Sequence, residues 1–409
     1  MKSKGLGLVL AGSLLLTAIL FVSAAQAQQE IRIGFLSPAT GSMARPGEEA
    51  RMGFELFWEQ AGYKAGGRPV RIIHADEQCN PDVGMNQARR LVHSEKVHLL
   101  VGPLCGHVGK PVAQVSAETG VPLLIYLSGA DDLTKWNRVP TAIRPAMSSS
   151  QDAHPFGEWL YHEAGARNAT FIGQDYTFGQ EKTLGAIATY TAAGGKVAKQ
   201  IWAPLPTNDY GPLLAGIPAN SDAVVVCLVG TDRLRLFEQW FDFGYNRKFK
   251  IYGLHWLQAD ALQELDDRAV GLVSQALPWC QGLDTPANKA FMDAFVKKHR
   301  KIPSYIVEMA YTSGLYAKTA LDAINGNAED RKAFLDAVRK AKVTAPRGPM
   351  RLDEYDNTVQ NVYIQKVAKV KHPLLGDVLI NVPVKEYRDV SQFWKWTPQE
   401  YLARGPYKR

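Results

Sequence analysis

The stretch VHLLVGPLCGHVGKPVAQVSAETGVPLLIYLSG (Val97–Gly129) decides the fold. A short apolar run, Val97–Val101, is followed by a helical pattern over Gly109–Thr119 and then by a second apolar run, Val121–Leu127. Runs that are apolar at nearly every position suit strands buried on both faces, which means a parallel sheet with helices on either side. Outward from this unit the alternation continues. Upstream stand strands Ile31–Leu36 and Val70–His74 and helices Pro46–Tyr63 and Pro81–Ser94, with Pro46, Glu48 and Glu49 suiting a helix start. After a strand at Thr141–Ala146 the pattern begins again. Helices are expected over Gln151–Ala166, Phe178–Gly194, Asp209–Ile217 and Arg233–Phe243, between strands Ala169–Gln174, Val197–Ala203, Ala223–Val229, Phe249–Gly253 and Gly271–Leu277. Three helical patterns follow (Pro286–Arg300, Pro303–Asn325, Glu329–Lys342), then strands near Met350–Asp353 and Asn361–Val370. Two successive α/β units imply two lobes facing each other across hinges, with ligand loops at the carboxyl ends of the strands.

Composition agrees with a globular chain: 409 residues, 46% hydrophobic and 21% charged. The formal charge of +7 is unevenly placed. Lys2 and Lys4 lie at the start, and the segment Lys366–Arg409, with nine basic and four acidic residues, carries all of the remaining +5. The body is therefore near neutral, and a nucleic-acid partner is not expected, because that would require a basic face interleaved with aromatics.

Lys2 and Lys4 precede an apolar run, Gly5–Val22, and then Ser23-Ala24-Ala25-Gln26-Ala27. This is the pattern of a cleavable secretory leader over 1–27; an uncleaved membrane anchor is the alternative. Export to an oxidising space makes the four cysteines worth pairing. Cys79 and Cys105 flank a helix and a strand whose ends share one sheet edge, so a Cys79–Cys105 disulfide is expected. Cys227 and Cys280 read as separate buried thiols.

Enzymatic signatures are missing. There is no G-x-S-x-G and no H-E-x-x-H, and the nine histidines lack metal-ligand spacing. The nearest phosphate-loop pattern, Gly102 to Gly109-Lys110, has six intervening residues, and Pro111 stands where Ser or Thr is required. Neither catalysis nor a cofactor is expected.

The segments IRIGFLSPATG (Ile31–Gly41), DEQCNP (Asp76–Pro81), VGPLCG (Val101–Gly106), DYTFGQ (Asp175–Gln180) and AAGGKV (Ala192–Val197) resemble the leucine-binding-protein family of periplasmic solute receptors, from about Ile31 to Val370. The resemblance implies the type I periplasmic binding protein fold, two Rossmann-like lobes joined by three crossovers near Pro145, Leu277 and Thr358. It divides the chain into a leader (1–27), an N-terminal lobe (28–145 and 278–357), a C-terminal lobe (146–277 and 358–372) and a basic aromatic extension (373–409). It also implies the Cys79–Cys105 bridge, a small carboxylated ligand, membrane ABC permease subunits as partners, and a periplasmic, monomeric protein.

The resemblance places the ligand's carboxylate against Cys105, Gly106 and His107 and against Leu127, Ser128 and Gly129, where backbone amides and a hydroxyl suit an anion. From the second lobe it brings Asp175, Tyr176 and Phe178, Gly230 and Thr231, and the residue after the next strand. Amino-acid binders commonly have a carboxylate there to meet the ligand's ammonium; this chain has His255, then Trp256. Histidine cannot serve as a fixed anion, so either Asp175 or Glu308 supplies the charge, or the ligand has no ammonium. Tyr126, Tyr176, Phe178, Trp256, His107 and His255 would suit an aromatic or phenolic acid, with Arg45 as a further carboxylate clamp. Core packing is the plainer reading of each aromatic, and a structural role that of each histidine. Branched-chain amino acids or amides remain alternative ligands, and a sensor reporting to a membrane receptor an alternative role. Phe393, Trp394, Trp396 and Tyr401 in the extension pack over a lobe or hinge, or form a permease-docking surface.

Overall fold

A computed structural model describes residues 30–41 and 43–409; the leader expected at 1–27 lies outside the described residues. The first lobe opens with β1 (Ile31–Ser37), α1 (Ala44–Gln60), a short β2 (Lys64–Ala65), β3 (Arg68–Asp76), α2 (Pro81–His93), β4 (Leu99–Val101), α3 (Gly106–Thr119), β5 (Leu123–Leu124) and β6 (Ala142–Ile143). Its sheet has the order β2-β3-β1-β4-β5-β6 and is parallel except at the β2–β3 edge. Ile31, Ile33, Phe35 and Leu36 of β1 are all fully buried, consistent with a strand covered on both faces.

The second lobe runs through α4 (Ala153–His162), β7 (Asn168–Gln174), α5 (Thr177–Ala192), β8 (Lys196–Ala203), α6 (Gly211–Ala215), β9 (Ala223–Cys227), α7 (Asp232–Asp242), β10 (Lys250–His255), α8 (Ala259–Leu262) and β11 (Val273–Leu277). Then come α9 (Pro286–His299), α10 (Tyr305–Ala323), α11 (Arg331–Lys340), β12 (Val343–Ala345), β13 (Gly348–Leu352), β14 (Thr358–His372), β15 (Gly376–Val390) and α12 (Pro398–Ala403). Strands β8, β7, β9 and β10 are parallel neighbours, whereas β11, β14 and β15 add antiparallel, so this sheet is mixed. Helices α10 and α11 return to the first lobe: a Cβ on Gly53 of α1 would lie 2.0 Å from the Val307 carbonyl oxygen of α10, so only glycine permits this approach.

Some expectations are corrected. Helix α1 starts at Ala44, ahead of Pro46, and Glu48 and Glu49 are absorbed elsewhere: Glu48 pairs with Arg51, and buried Glu49 accepts a bond from the Ser304 hydroxyl (2.6 Å). The segment after 373 is joined to the second sheet, since β15 pairs with β14 along nearly its whole length and buries Val378, Leu379 and Ile380. Its second half is charged at most positions (Lys385, Glu386, Arg388, Asp389), which hid a strand whose pairing partner supplies most of its stability. Beyond it the chain folds back over the hinge. Buried Tyr401 receives a hydrogen bond from Lys135 Nζ (3.0 Å) and shares one with Ser150 Oγ (3.0 Å), Trp136 Nε1 donates to the Leu402 carbonyl (3.0 Å), and Phe393 is buried as well. No helix among the described residues is long and apolar enough to cross a membrane.

Two crossovers run side by side at the hinge: Arg144 N donates to the Asp356 carbonyl (2.8 Å) and Thr358 N to the Arg144 carbonyl (3.1 Å). Cys79 and Cys105 form a disulfide with their Cα atoms 5.4 Å apart; Cys227 and Cys280 are buried free thiols. The bridge closes a sequence separation of 26 residues. Chain-entropy reasoning gives a loop of that size about 3 kcal/mol. The Cys79→Ala, Cys105→Ala double variant should therefore lose stability of that order in urea unfolding, with binding retained at 25 °C.

Candidate functional site at the interlobe cleft

Strands β1, β4 and β5 run parallel in one lobe and β7, β9 and β10 in the other, and the carboxyl ends of such strands are where an α/β protein places its ligand. On the first-lobe side, helix α3 begins at Gly106 directly after the disulfide. Buried Glu77 accepts hydrogen bonds at Oε1 from Leu104 N (3.1 Å) and Cys105 N (3.4 Å). Burial raises its carboxyl to about 7 even though those amides pull the other way. The amides of Gly106 and His107, in the first turn of α3, have no intrahelical acceptor. Ser128 is buried beside them, its hydroxyl donating to the Gly106 carbonyl (3.2 Å). The carbonyl of Gly129 accepts from the amide (2.7 Å) and hydroxyl (2.8 Å) of Ser149 on the crossover. Leu127 packs partly buried against Ala146, Met147, Leu277 and Met309. Gly106, Ser128 and Gly129 are thus brought together.

From the second lobe, Tyr176 precedes α5 and Phe178 lies in its first turn, their rings 6.1 Å apart. Phe178 meets the edge of His255 at 5.0 Å, and Tyr305 of α10 meets the same imidazole at 5.7 Å, so aromatic contact joins the lobes through His255. His255 is fully buried at the end of β10. Burial, then the charges of Lys182 and Arg233, hold its pKa well below the ordinary value, so the ring is neutral. Lys182 lies 5.6 Å from the Phe178 ring centroid and pairs with Asp152, both fully buried.

Several expected site residues are placed elsewhere. His107 is exposed, its Nε2 lying 2.8 Å from the Cys79 carbonyl oxygen, because it leaves α3 on the outer side. Trp256 belongs to the second-lobe core: it packs on Phe237 and donates from Nε1 to the Arg233 carbonyl (3.1 Å). Consecutive side chains at a strand end point to opposite faces, so burying His255 at the cleft turns Trp256 away. Tyr126 stacks on Phe35 at 5.2 Å within the first-lobe core. Gly230 and Thr231 are exposed at the start of α7, Gly230 having a φ of +62° that glycine tolerates. Arg45 reaches across the lobes to Glu264 (3.2 Å), so it is a rim ion pair and no carboxylate clamp. Neither substitute for the missing anion is free: Asp175 pairs with Arg409, and buried Glu308 with Arg347 (2.6 Å).

Sequence reasoning missed Lys182, Asp152, Tyr305, Arg233 and Gln258. Arg233 forms a bidentate pair with Asp260 (3.1 and 2.6 Å) and donates to Gln258 Oε1 (2.9 Å), and the other end of that amide meets His255 Nε2. The available signals were Lys182 one helical turn beyond Phe178 and Gln258 three residues after His255, spacings that many residues share.

Two α/β lobes that bury neutral hydrogen-bonding groups and aromatic rings where they meet are the arrangement of a solute receptor's ligand cleft. A sequence profile described as periplasmic binding protein matches residues 30–371. The "Leu/Ile/Val-binding protein homolog 6" of Brucella suis is 24% identical over 354 residues, 83% of this chain and 88% of its own. An ABC transporter substrate-binding protein from Sphaerobacter thermophilus superposes with a TM-score of 0.85 at 27% identity, covering 89% of this chain and 99% of its own. A solute-binding protein of an ABC transporter from Rhodopseudomonas palustris, solved in complex with 3,4-dihydroxybenzoic acid, has a TM-score of 0.82 at 25% identity, covering 89% and 98%. The chain belongs to the periplasmic binding protein family, in its leucine and branched-chain amino-acid-binding type. Proteins of this kind bind small molecules and interact with membrane permeases.

Glu181 of α5 accepts a hydrogen bond from Asp131 N (3.1 Å) across the two lobes. Burial, then the charge of Asp131, raises its carboxyl from 4.5 to about 8. Between those values the folded protein holds a proton that the unfolded chain releases, so this group's contribution to stability falls as pH rises. Relative to Glu181→Gln, the wild-type protein should lose melting temperature progressively from pH 5 to pH 8; parallel profiles would contradict this.

Proposed function

We propose that this protein captures a small aromatic carboxylate in the periplasm by closing its lobes and delivers it to an ABC permease, acting as a monomer, without catalysis, after export by the leader at 1–27. The observation that carries the ligand class is His255, which stands where amino-acid binders of the family commonly hold a carboxylate. A neutral imidazole cannot balance an ammonium, and a buried ammonium without an anion is costly. Asp175 and Glu308 are already paired, as are Asp152 and Asp260. The rings of Tyr176, Phe178 and Tyr305 around His255 suit a flat ligand. The first-turn amides of α3 at Gly106 and His107, with Ser128 and Gly129, suit its carboxylate. The relative from Rhodopseudomonas palustris that holds a dihydroxybenzoate supports the same ligand class.

Isothermal calorimetry and thermal shift with benzoate, hydroxybenzoates, leucine and a short aliphatic amide test this reading. A ligand at one hundred times its Kd stabilises the folded state by about 2.7 kcal/mol. Aromatic acids should raise the melting temperature accordingly, while leucine and the amide should leave it unchanged; a shift with leucine alone overturns the assignment.

A further inference from the structure

We infer that His255 and Gln275 together read a hydroxyl group on the bound acid, His255 donating a hydrogen bond to its oxygen and Gln275 accepting its proton. The inference rests on the preceding reading of an aromatic acid and narrows it to a hydroxylated one.

Two hydrogen-bond chains fix the direction of each group. Arginine can only donate, so the Gln258 atom 2.9 Å from Arg233 is the acceptor Oε1. The amide nitrogen of Gln258 is therefore the end that meets His255 Nε2. That nitrogen is a donor, so Nε2 carries the lone pair, and a neutral imidazole must then hold its single proton on Nδ1. His255 Nδ1 is buried and has no partner. On the neighbouring strand, Gln365 Nε2 donates to the carbonyls of Leu277 (3.2 Å) and Trp279 (2.9 Å), which leaves its Oε1 to accept from Gln275 Nε2 (2.8 Å). The oxygen of Gln275 therefore points elsewhere, and it too is buried without a partner.

His255 and Gln275 are directly opposed in the antiparallel β10–β11 pair. Opposed residues project from the same face of a sheet with Cβ atoms about 5 Å apart. An unsatisfied donor and an unsatisfied acceptor thus stand side by side on one face, beside Phe178 and Tyr305. A hydroxyl satisfies both at once. An ether or carbonyl satisfies only His255, an amine does not complement this donor and acceptor as well, and a bare ring satisfies neither. Gln258 and Arg233 are positioning residues that set which imidazole nitrogen holds the proton.

Calorimetry compares benzoate, 3-hydroxybenzoate, 4-hydroxybenzoate and 4-methoxybenzoate on the full-length mature protein. A buried polar group left unpaired costs about 1–3 kcal/mol, so the better hydroxybenzoate should bind about tenfold or more tighter than benzoate, with the methoxy acid between them. His255→Phe and Gln275→Leu should each bring that ratio close to one. Nitrogen-15 NMR of the wild-type protein should find the His255 proton on Nδ1, and Gln258→Met should release this preference and lower the hydroxyl ratio without unfolding the protein. Equal binding of benzoate and both hydroxybenzoates, or a proton on Nε2, overturns this inference and leaves the aromatic-acid reading standing. Failure of every aromatic acid to bind overturns that reading and this inference with it.

Discussion

The buried guanidinium of Arg144 holds together everything that meets at the hinge. It donates to the carbonyls of Ala130 (2.7 Å) and Ser128 (3.3 Å), to the Thr134 hydroxyl, and to Asn357 Oδ1 (2.7 Å), and so joins the loop after β5 to the third crossover. Among the described residues no carboxylate pairs with it directly; oxygen dipoles satisfy it, and burial lowers its pKa to about 10. Asn357 in turn donates to Gln151 Oε1 (3.0 Å), and Gln151 donates to the carbonyls of Thr358 (2.7 Å) and Val390 (2.8 Å). A charge that has left water must be hydrogen-bonded on nearly every side, and meeting that demand ties four chain segments to one centre.

The same constraint shapes the site. Two buried cations, Lys182 and Arg233, approach His255 from different elements, and each carries its own carboxylate, Asp152 or Asp260. The surroundings of His255 are therefore close to electrically balanced, and burial and the residual positive field both favour the neutral ring. Specificity then comes from the direction of hydrogen bonds instead of from opposite charge. Groups that are donors or acceptors by their chemistry, Arg233 at one end and the Leu277 carbonyl at the other, impose that direction through amides that could otherwise face either way.

Much of the fold was legible along the chain. Mostly apolar runs such as Val97–Val101 and Val121–Leu127 suit strands covered on both faces, and their alternation with helical spacing leads to two parallel-sheet lobes, although the strands themselves are confined to Leu99–Val101 and Leu123–Leu124. Cys79 and Cys105 were pairable because both end elements at one sheet edge. Motif order also singled out His255, which lies buried at the end of β10. Less legible were residues whose role depends on orientation. His255 and Trp256 are adjacent, yet one lines the interlobe contact and the other the core, and Arg45 looked like a clamp until Glu264 was found opposite it.

Periodicity, turn chemistry and motif order, which act over a few residues at a time, were enough to determine the lobed α/β architecture and the disulfide. Tertiary structure alone decided that β15 completes the second sheet, that Tyr401 reaches Lys135 and Ser150, and that Gln258 and Gln275 present a nitrogen or an oxygen. Strand β15 pairs with the strand directly before it, but the side-chain contacts depend on partners far along the chain, Ser150 from Tyr401 or Gln365 from Gln275. A hydrogen bond between distant segments leaves no local spacing to read, and its direction is settled only when the last donor or acceptor in its chain is in place.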